Sequence, residues 1–350
     1  MALLKIPGAV ICGIAACVPE TRVDNTKFTD YYSEKEIKKI IRATGICERR
    51  FAKEHQCGSD FACQAGKALL GAMKVTPEEI GILIYLTQTP DYMLIPPTSC
   101  ILQHRLGLPE TTAAFDINMN CSGFVYALST AMSYASCGTK VLLLAGETLS
   151  KVFPPSDKAT GLLFGDGGAA VLLESKPDEE SFFSLNTDGS EYEAILVEAG
   201  GYRLPASPET VQMRIYEDGS RRSLHHGRMD GMKVFDFTQR RVLPDLKKIL
   251  EFSQKDLSDV DWFLFHQANK FMLDLFVMEL GINKDKVPIS LGHFGNTSTV
   301  SIPLGIAARF GDNQTHSLGT VAMSAFGGGL SWGTAVLSLE NCYIHEIVEI

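Results

Sequence analysis

The sequence predicts an α/β protein built as two similar halves, each a mixed sheet with helices on its faces. Three observations predict it: the chain repeats itself, each copy alternates apolar strand runs with amphipathic helices, and 350 residues with 45% hydrophobic content suffice for two core-forming units. The repeat pairs Thr76–Gln88 with Asp256–Gln267, each a polar turn, an acidic residue, an apolar strand and a polar tip. Its offset is about 175 residues, too long for a solenoid period and typical of one duplicated domain. The halves are expected at residues 1–175 and 176–350, packed about a pseudo-two-fold with central helices between the sheets.

Taken in order, Ala9–Ala16 reads as a short apolar strand stopped by Pro19. Lys5 alone makes a poor charged region for a secretory leader, and Pro7-Gly8 interrupts the apolar run. Phe61–Met73 and Phe237–Phe252 read as matching helices ahead of the repeated strands. Leu106-Gly107 leads through a turn and the strand Ala113–Ile117 to Cys121, as Leu280-Gly281 leads through Val287-Pro288-Ile289 to Asn296. Helices follow from near Ser122 and Thr297. Gly138–Leu144 then answers Gly319–Met323, and each half closes on a Gly-rich turn and a strand, Phe164–Leu173 and Phe326–Leu337. Gly146–Leu163 and Glu198–Met229 read as loops laid over this scaffold.

The composition removes several function classes. A net charge of −9 without a Lys/Arg run argues against a nucleic-acid binder. No apolar run reaches the roughly 18 residues of a membrane span. The nine cysteines form no CxxC pair, so neither a metal nor a dithiol site is expected, and an odd, scattered set suits a reducing, cytoplasmic setting.

The chemistry is expected at strand tips, where α/β sheets gather it. Cys121 lies between a strand and a helix N-terminus, a place that favours a thiolate nucleophile. His266 and Asn296 fall on tips that the repeat places near it. Cys, His and Asn together make a set for thioester chemistry: one nucleophile and two donors to an oxygen that gains charge. The N–H groups of Gly327-Gly328-Gly329 could complete an oxyanion hole with the Cys121 N–H.

Asp116–Phe124, His266-Gln267-Ala268-Asn269, Gly295-Asn296-Thr297-Ser298 with Ser301 and Pro303, and Phe326–Gly333 together resemble the β-ketoacyl-acyl carrier protein synthase III family of the thiolase superfamily. Phe164–Gly167 and Thr44-Gly45-Ile46 match as well, so the resemblance runs from about Val10 to Leu339. It implies the duplicated thiolase-like fold in five layers, usually a homodimer, with no metal or redox cofactor. It also implies Cys121 as the acylated nucleophile, His266 and Asn296 as stabilisers of a malonyl enolate, and the Gly328 N–H as the second oxyanion donor. The implied substrates are an acyl thioester, on coenzyme A or a carrier, and a malonyl-acyl carrier protein. The implied reaction is a decarboxylative Claisen condensation giving a β-ketoacyl thioester. The alternative is an acyltransferase or a non-decarboxylative head-to-head condensing enzyme on the same fold.

The same resemblance proposes Ile95, Arg42, Gln267, Asn269 and Lys270 as substrate-binding positions. Ile95, in Tyr92–Pro97, takes the place of a Phe in the loop that lines the acyl tunnel, often across the dimer. Arg42 lies beside Lys39 and Ala43, which replace the family's coenzyme A-binding Trp and Arg. Of the basic helix that receives the carrier, only Lys270 remains.

Overall fold

The computed structural model describes residues 2–350. Strands β1 (Ala2–Val18), β2 (Ile82–Leu86), β3 (Ala113–Ile117), β4 (Val141–Thr148), β5 (Asp166–Thr187), β6 (Trp262–Phe265), β7 (Gly319–Gly327) and β8 (Ser331–Leu339) form the framework. In the first half the order is β3-β2-β4-β5-β1, with β2 parallel to both β3 and β4 and the remaining pairs antiparallel. In the second half it is β6-β7-β8-β5, with β6 parallel to β7 and the rest antiparallel. The repeat is therefore spatial as well as sequential: β2 answers β6, β4 answers β7, and the first part of β5 answers β8.

Two expectations change. The short strand expected at Ala9–Ala16 is the 17-residue β1, and the two sheets are not separate bodies. β1 pairs with the 22-residue β5 from Ala2↔Leu185 to Cys17↔Gly168. Register shifts at Pro7/Ala9 and Ile11/Gly13 turn this ribbon from one sheet into the other. The boundary drawn at 175/176 falls inside β5. The second change is at Val287-Pro288-Ile289, the counterpart of β3, which is not a strand. Pro288 has no N–H for a ladder. The Gln267 side chain stands in for the missing partner strand: its Nε2 donates to the carbonyls of Phe265 (2.9 Å) and Pro288 (3.2 Å), and its Oε1 accepts from the Ser290 N–H (3.1 Å).

Helices α1 (Glu34–Thr44), α2 (Gly58–Met73), α3 (Gly123–Ala135), α4 (Leu243–Phe252), α5 (Lys270–Leu280) and α6 (Ser301–Phe310) complete five layers. Three apolar cores mark the interfaces. The central core buries α3 and α6 between the sheets through Phe124, Leu128, Ile302 and Ile306. A second packs α2 on the first half through Phe61 and Leu69. A third packs α4 and α5 on the second half through Leu246, Ile249 and Phe276. The helix expected over Phe237–Phe252 is divided: Gly231–Phe237, a wide turn over Thr238–Val242, then α4. Pro244 stands in the first turn of α4, where a missing N–H costs nothing.

Candidate active site

Four strand ends converge on one cavity of about 700 Å³. The segments after β2, β3 and β6 bring Gln88, Cys121 and His266, and β7 ends at Gly327 on the same wall. Asn296 arrives on a loop strapped to the first half: its N–H donates to the Leu163 carbonyl (2.9 Å) and its carbonyl accepts from the Gly165 N–H (3.1 Å). Gly295 turns this loop at φ +70°, and a Cβ there would lie 2.7 Å from the Leu163 oxygen, so only glycine fits.

The catalytic side chains predicted from sequence are brought together. Cys121, His266 and Asn296 all line the cavity, each nearly buried. The Cys121 Sγ accepts a hydrogen bond from the Ser298 hydroxyl at 3.2 Å and lies 3.6 Å from Asn120 Oδ1, to which the thiol can donate. Ser298 reaches the sulfur from a left-handed backbone (φ +52°), a conformation held by the donation of its N–H to Asn296 Oδ1 (2.9 Å). That bond occupies the Asn296 oxygen and leaves Nδ2 without a protein partner among the described residues, on the cavity wall.

The tautomer of His266 follows from its neighbours. Ser301 Oγ lies 2.7 Å from Nδ1 and accepts from the Gln267 N–H at 3.4 Å. The Ser301 proton is thereby directed to Nδ1, which makes Nε2 the N–H donor. Burial holds this imidazole down at about 3, with the Ser298 backbone acting against it to a smaller extent, so the ring is neutral at pH 7. A neutral ring with one oriented N–H is a hydrogen-bond donor for a developing anion.

The thiol differs from the sequence expectation. α3 begins at Gly123, so Cys121 precedes the helix. Burial pushes the thiol up to about 12; the hydrogen bond from Ser298 lowers it and the charge of Glu147 raises it further. Resting Cys121 is a protonated thiol. Gly327 packs on it so closely that a Cβ would lie 3.0 Å from Cys121 Cβ and 3.3 Å from Sγ. The next N–H, that of Gly328, has no protein partner among the described residues, while the Cys121 N–H is held by Asn120 Oδ1 at 3.2 Å.

Of the substrate-binding positions, only Asn269 lines this cavity, and it also caps α5 by accepting from the Met272 N–H at 2.9 Å. The Gln267 amide bonds to the Phe265 and Pro288 carbonyls and the Ser290 N–H, and it does not line the cavity. Lys270 is paired with Asp274 on the surface of α5. Arg42 is exposed on α1 and lines neither this cavity nor the adjoining cleft of about 380 Å³, which contains Lys39, Ala43 and Lys158. Ile95 is 81% exposed and does not line the cavity, whereas its neighbour Met93 does. The sequence reading missed Glu147, buried at the end of β4. The available signal was a carboxylate closing an otherwise apolar and small-residue strand, Val141–Thr148.

Comparison with known proteins agrees with this geometry. Residues 115–189 match the family profile described as 3-oxoacyl-[acyl-carrier-protein (ACP)] synthase III, and residues 250–339 match that of its C-terminal part. The chain is 36% identical over 337 residues to a β-ketoacyl-[acyl-carrier-protein] synthase III of Streptococcus pneumoniae (strain Hungary19A-6), covering 95% of this chain and 99% of that protein. It is 34% identical over 333 residues to the protein of the same name from Clostridioides difficile (strain 630), covering 94% and 98%. The crystal structure of a 3-oxoacyl-(acyl-carrier protein) synthase from Burkholderia xenovorans LB400 superimposes with a TM-score of 0.92 at 33% identity, covering 100% of this chain and 99% of that one. With matching profiles in both halves and relatives aligned along almost the whole length, the chain belongs to the 3-oxoacyl-[acyl-carrier-protein] synthase III family.

Proposed function

We propose that the cavity carries out a decarboxylative Claisen condensation in two stages, with Cys121, His266 and Asn296 as the catalytic residues. In the first, the Cys121 sulfur attacks an acyl thioester. A new S–C bond forms, the donor's C–S bond breaks, and the thiol proton leaves with the donor thiol. In the second, a malonyl thioester occupies the vacated space. Its C–C bond to the carboxylate breaks and carbon dioxide leaves. The electron pair becomes an enolate whose oxygen takes hydrogen bonds from His266 Nε2 and Asn296 Nδ2. The enolate carbon attacks the acyl-Cys121 carbonyl, and the tetrahedral oxygen is held by the N–H groups of Cys121 and Gly328, the former exchanging its Asn120 partner for the substrate. Collapse breaks the C–S bond and expels the Cys121 thiolate, which takes up one proton from water to restore the resting thiol, and yields a β-ketoacyl thioester. No cofactor takes part in these steps.

The observation that carries this reading is the division of labour in the cavity. One sulfur stands opposite two neutral N–H donors, and each donor is fixed by a bond to its other polar atom, Nδ1 by Ser301 and Oδ1 by Ser298. The malonyl donor is read as a carrier thioester, and the working unit as a homodimer in which the exposed Met93, Leu94 and Ile95 meet a second copy. The test is an acyl adduct on Cys121 by intact mass, absent in Cys121→Ala, followed by carbon dioxide release on addition of malonyl-carrier protein. An adduct that is transferred without carbon dioxide release would instead identify an acyltransferase.

A further inference from the structure

Glu147 has no part in the steps above, yet it is the most heavily invested polar group beside them. Its side chain is wholly buried at the end of β4. One oxygen accepts from the Thr89 hydroxyl (2.9 Å) and the other from the Thr299 hydroxyl (2.9 Å), while the Gln88 N–H points at both (3.2 and 3.3 Å). The Thr89 oxygen in turn accepts from the Thr148 N–H at 3.0 Å, which fixes its proton on the carboxylate. Burying a carboxylate is strongly unfavourable unless such partners converge on it. These partners come from both halves of the chain: Gln88 and Thr89 from the tip of β2, Thr299 from the turn that carries Asn296 and Ser298.

That turn contains a residue in the left-handed backbone region. Ser298, at φ +52°, adjoins Thr299 and carries the hydroxyl that touches the Cys121 sulfur, while its N–H fixes the Asn296 amide. We propose that Glu147 is a positioning residue for the reaction. Through Thr299 it holds the 296–299 turn seated on Cys121, so that the Ser298 hydroxyl and the Asn296 Nδ2 keep their aim as acyl and malonyl groups exchange. The proposal rests on the functional reading above for its kinetic consequence, but the coupling of Glu147 to Cys121 does not. The Glu147 charge opposes ionisation of Cys121 and of Tyr85, both buried beside it.

The experiment uses the full-length chain with Thr299→Val, Glu147→Gln and both together. Thr299→Val keeps the shape and removes the link on one side. It is expected to lower kcat for carbon dioxide release from malonyl-carrier protein roughly 5- to 30-fold, with KM little changed. The double variant is expected to lose no more than the worse single variant, because both substitutions break one chain of contacts. The second readout is alkylation of Cys121 by iodoacetamide against pH, followed by intact mass. Thr299→Val keeps the Glu147 charge but unseats the Ser298 hydroxyl that lowers the thiol, so its profile moves to higher pH, and at pH 8 alkylation is slower by roughly 2-fold or more. A Glu147 that served only to pack β4 would leave that profile in place. Multiplicative losses in the double variant, or superimposable alkylation profiles, overturn the proposal. If the wild-type chain releases no carbon dioxide, the functional reading fails on its own, and the alkylation comparison still decides Glu147.

Discussion

Replacing Ser301 with Ala removes the atom that sets the His266 tautomer, and the structure sizes the effect. Ser301 Oγ and Nδ1 are 2.7 Å apart, and both residues are 2% exposed, so no bulk water takes the vacated place. Nδ1 is left as a buried acceptor without a partner, a loss of about 1–3 kcal/mol. The ring can relieve it by moving its proton to Nδ1, which strips Nε2 of the N–H that faces the enolate. Either way the decarboxylation transition state loses one oriented donor. The expected fall in kcat is roughly 5- to 150-fold, below the ceiling of about 10³-fold for complete removal of such a donor. Acylation of Cys121 does not use His266 in the proposed steps, so the rate of adduct formation stays near wild type. The assay is carbon dioxide release from malonyl-carrier protein by pre-acylated enzyme, beside the intact-mass rate of acylation. A kcat within about 2-fold of wild type, equivalent to about 0.4 kcal/mol, would refute the tautomer argument. Equal losses in both stages would refute the assignment of His266 to the second.

Three further outcomes are expected. Asn296→Asp keeps the acceptor for the Ser298 N–H and replaces the free Nδ2 donor with oxygen, so carbon dioxide release falls by roughly 100-fold or more while adduct formation persists; retained release counts against the enolate role. Gly327→Ala sets a methyl 3.0–3.3 Å from Cys121 Cβ and Sγ, so it displaces the sulfur and suppresses acylation, read by intact mass after a timed exposure to acyl thioester. The pH dependence of stability separates two buried groups. Burial raises the Glu147 carboxyl from 4.5 to about 7, so its contribution is complete below pH 4.5 and is lost as pH rises through 7. Burial lowers His266 from 6.5 to about 3, so its contribution is complete above pH 6.5 and is lost as pH falls through 3. These opposed slopes overlap between pH 4.5 and 6.5. Glu147→Gln unmasks the His266 slope, and the urea midpoint climbs more steeply across that window than in wild type.

What the sequence made legible were features written in local pattern. The repeat exposed the duplication because β2 and β6 carry the same alternation of turn, acid and apolar run. Cys121, His266 and Asn296 stood out because the repeat set them at matched positions in the two halves. What escaped depends on distance in the chain. Nothing local to Gln267 announces that its amide replaces a strand spoiled by Pro288, so it read as a ligand contact. The environment of Cys121 was misjudged for a related reason. The helix start was visible, but the burial that governs the thiol comes from Gly327, Phe326 and the 296–299 turn, some two hundred residues away in the chain. Lys270 and Arg42 carried charge that pattern alone could not distinguish from a binding role. Lys270 pairs with Asp274 on the surface of α5, and Arg42 is exposed on α1.

The ribbon of β1 and β5 has a mechanical consequence. Because both strands run through both sheets, neither half possesses a complete sheet of its own, and a cut near Lys176 would divide a strand that each side needs. The sulfur belongs to one half and the imidazole and carboxamide to the other, so melting either half scatters the reacting groups. Loss of activity and loss of fold are therefore expected in one concerted event, and the two segments made separately should recover neither unless they are annealed along that shared seam.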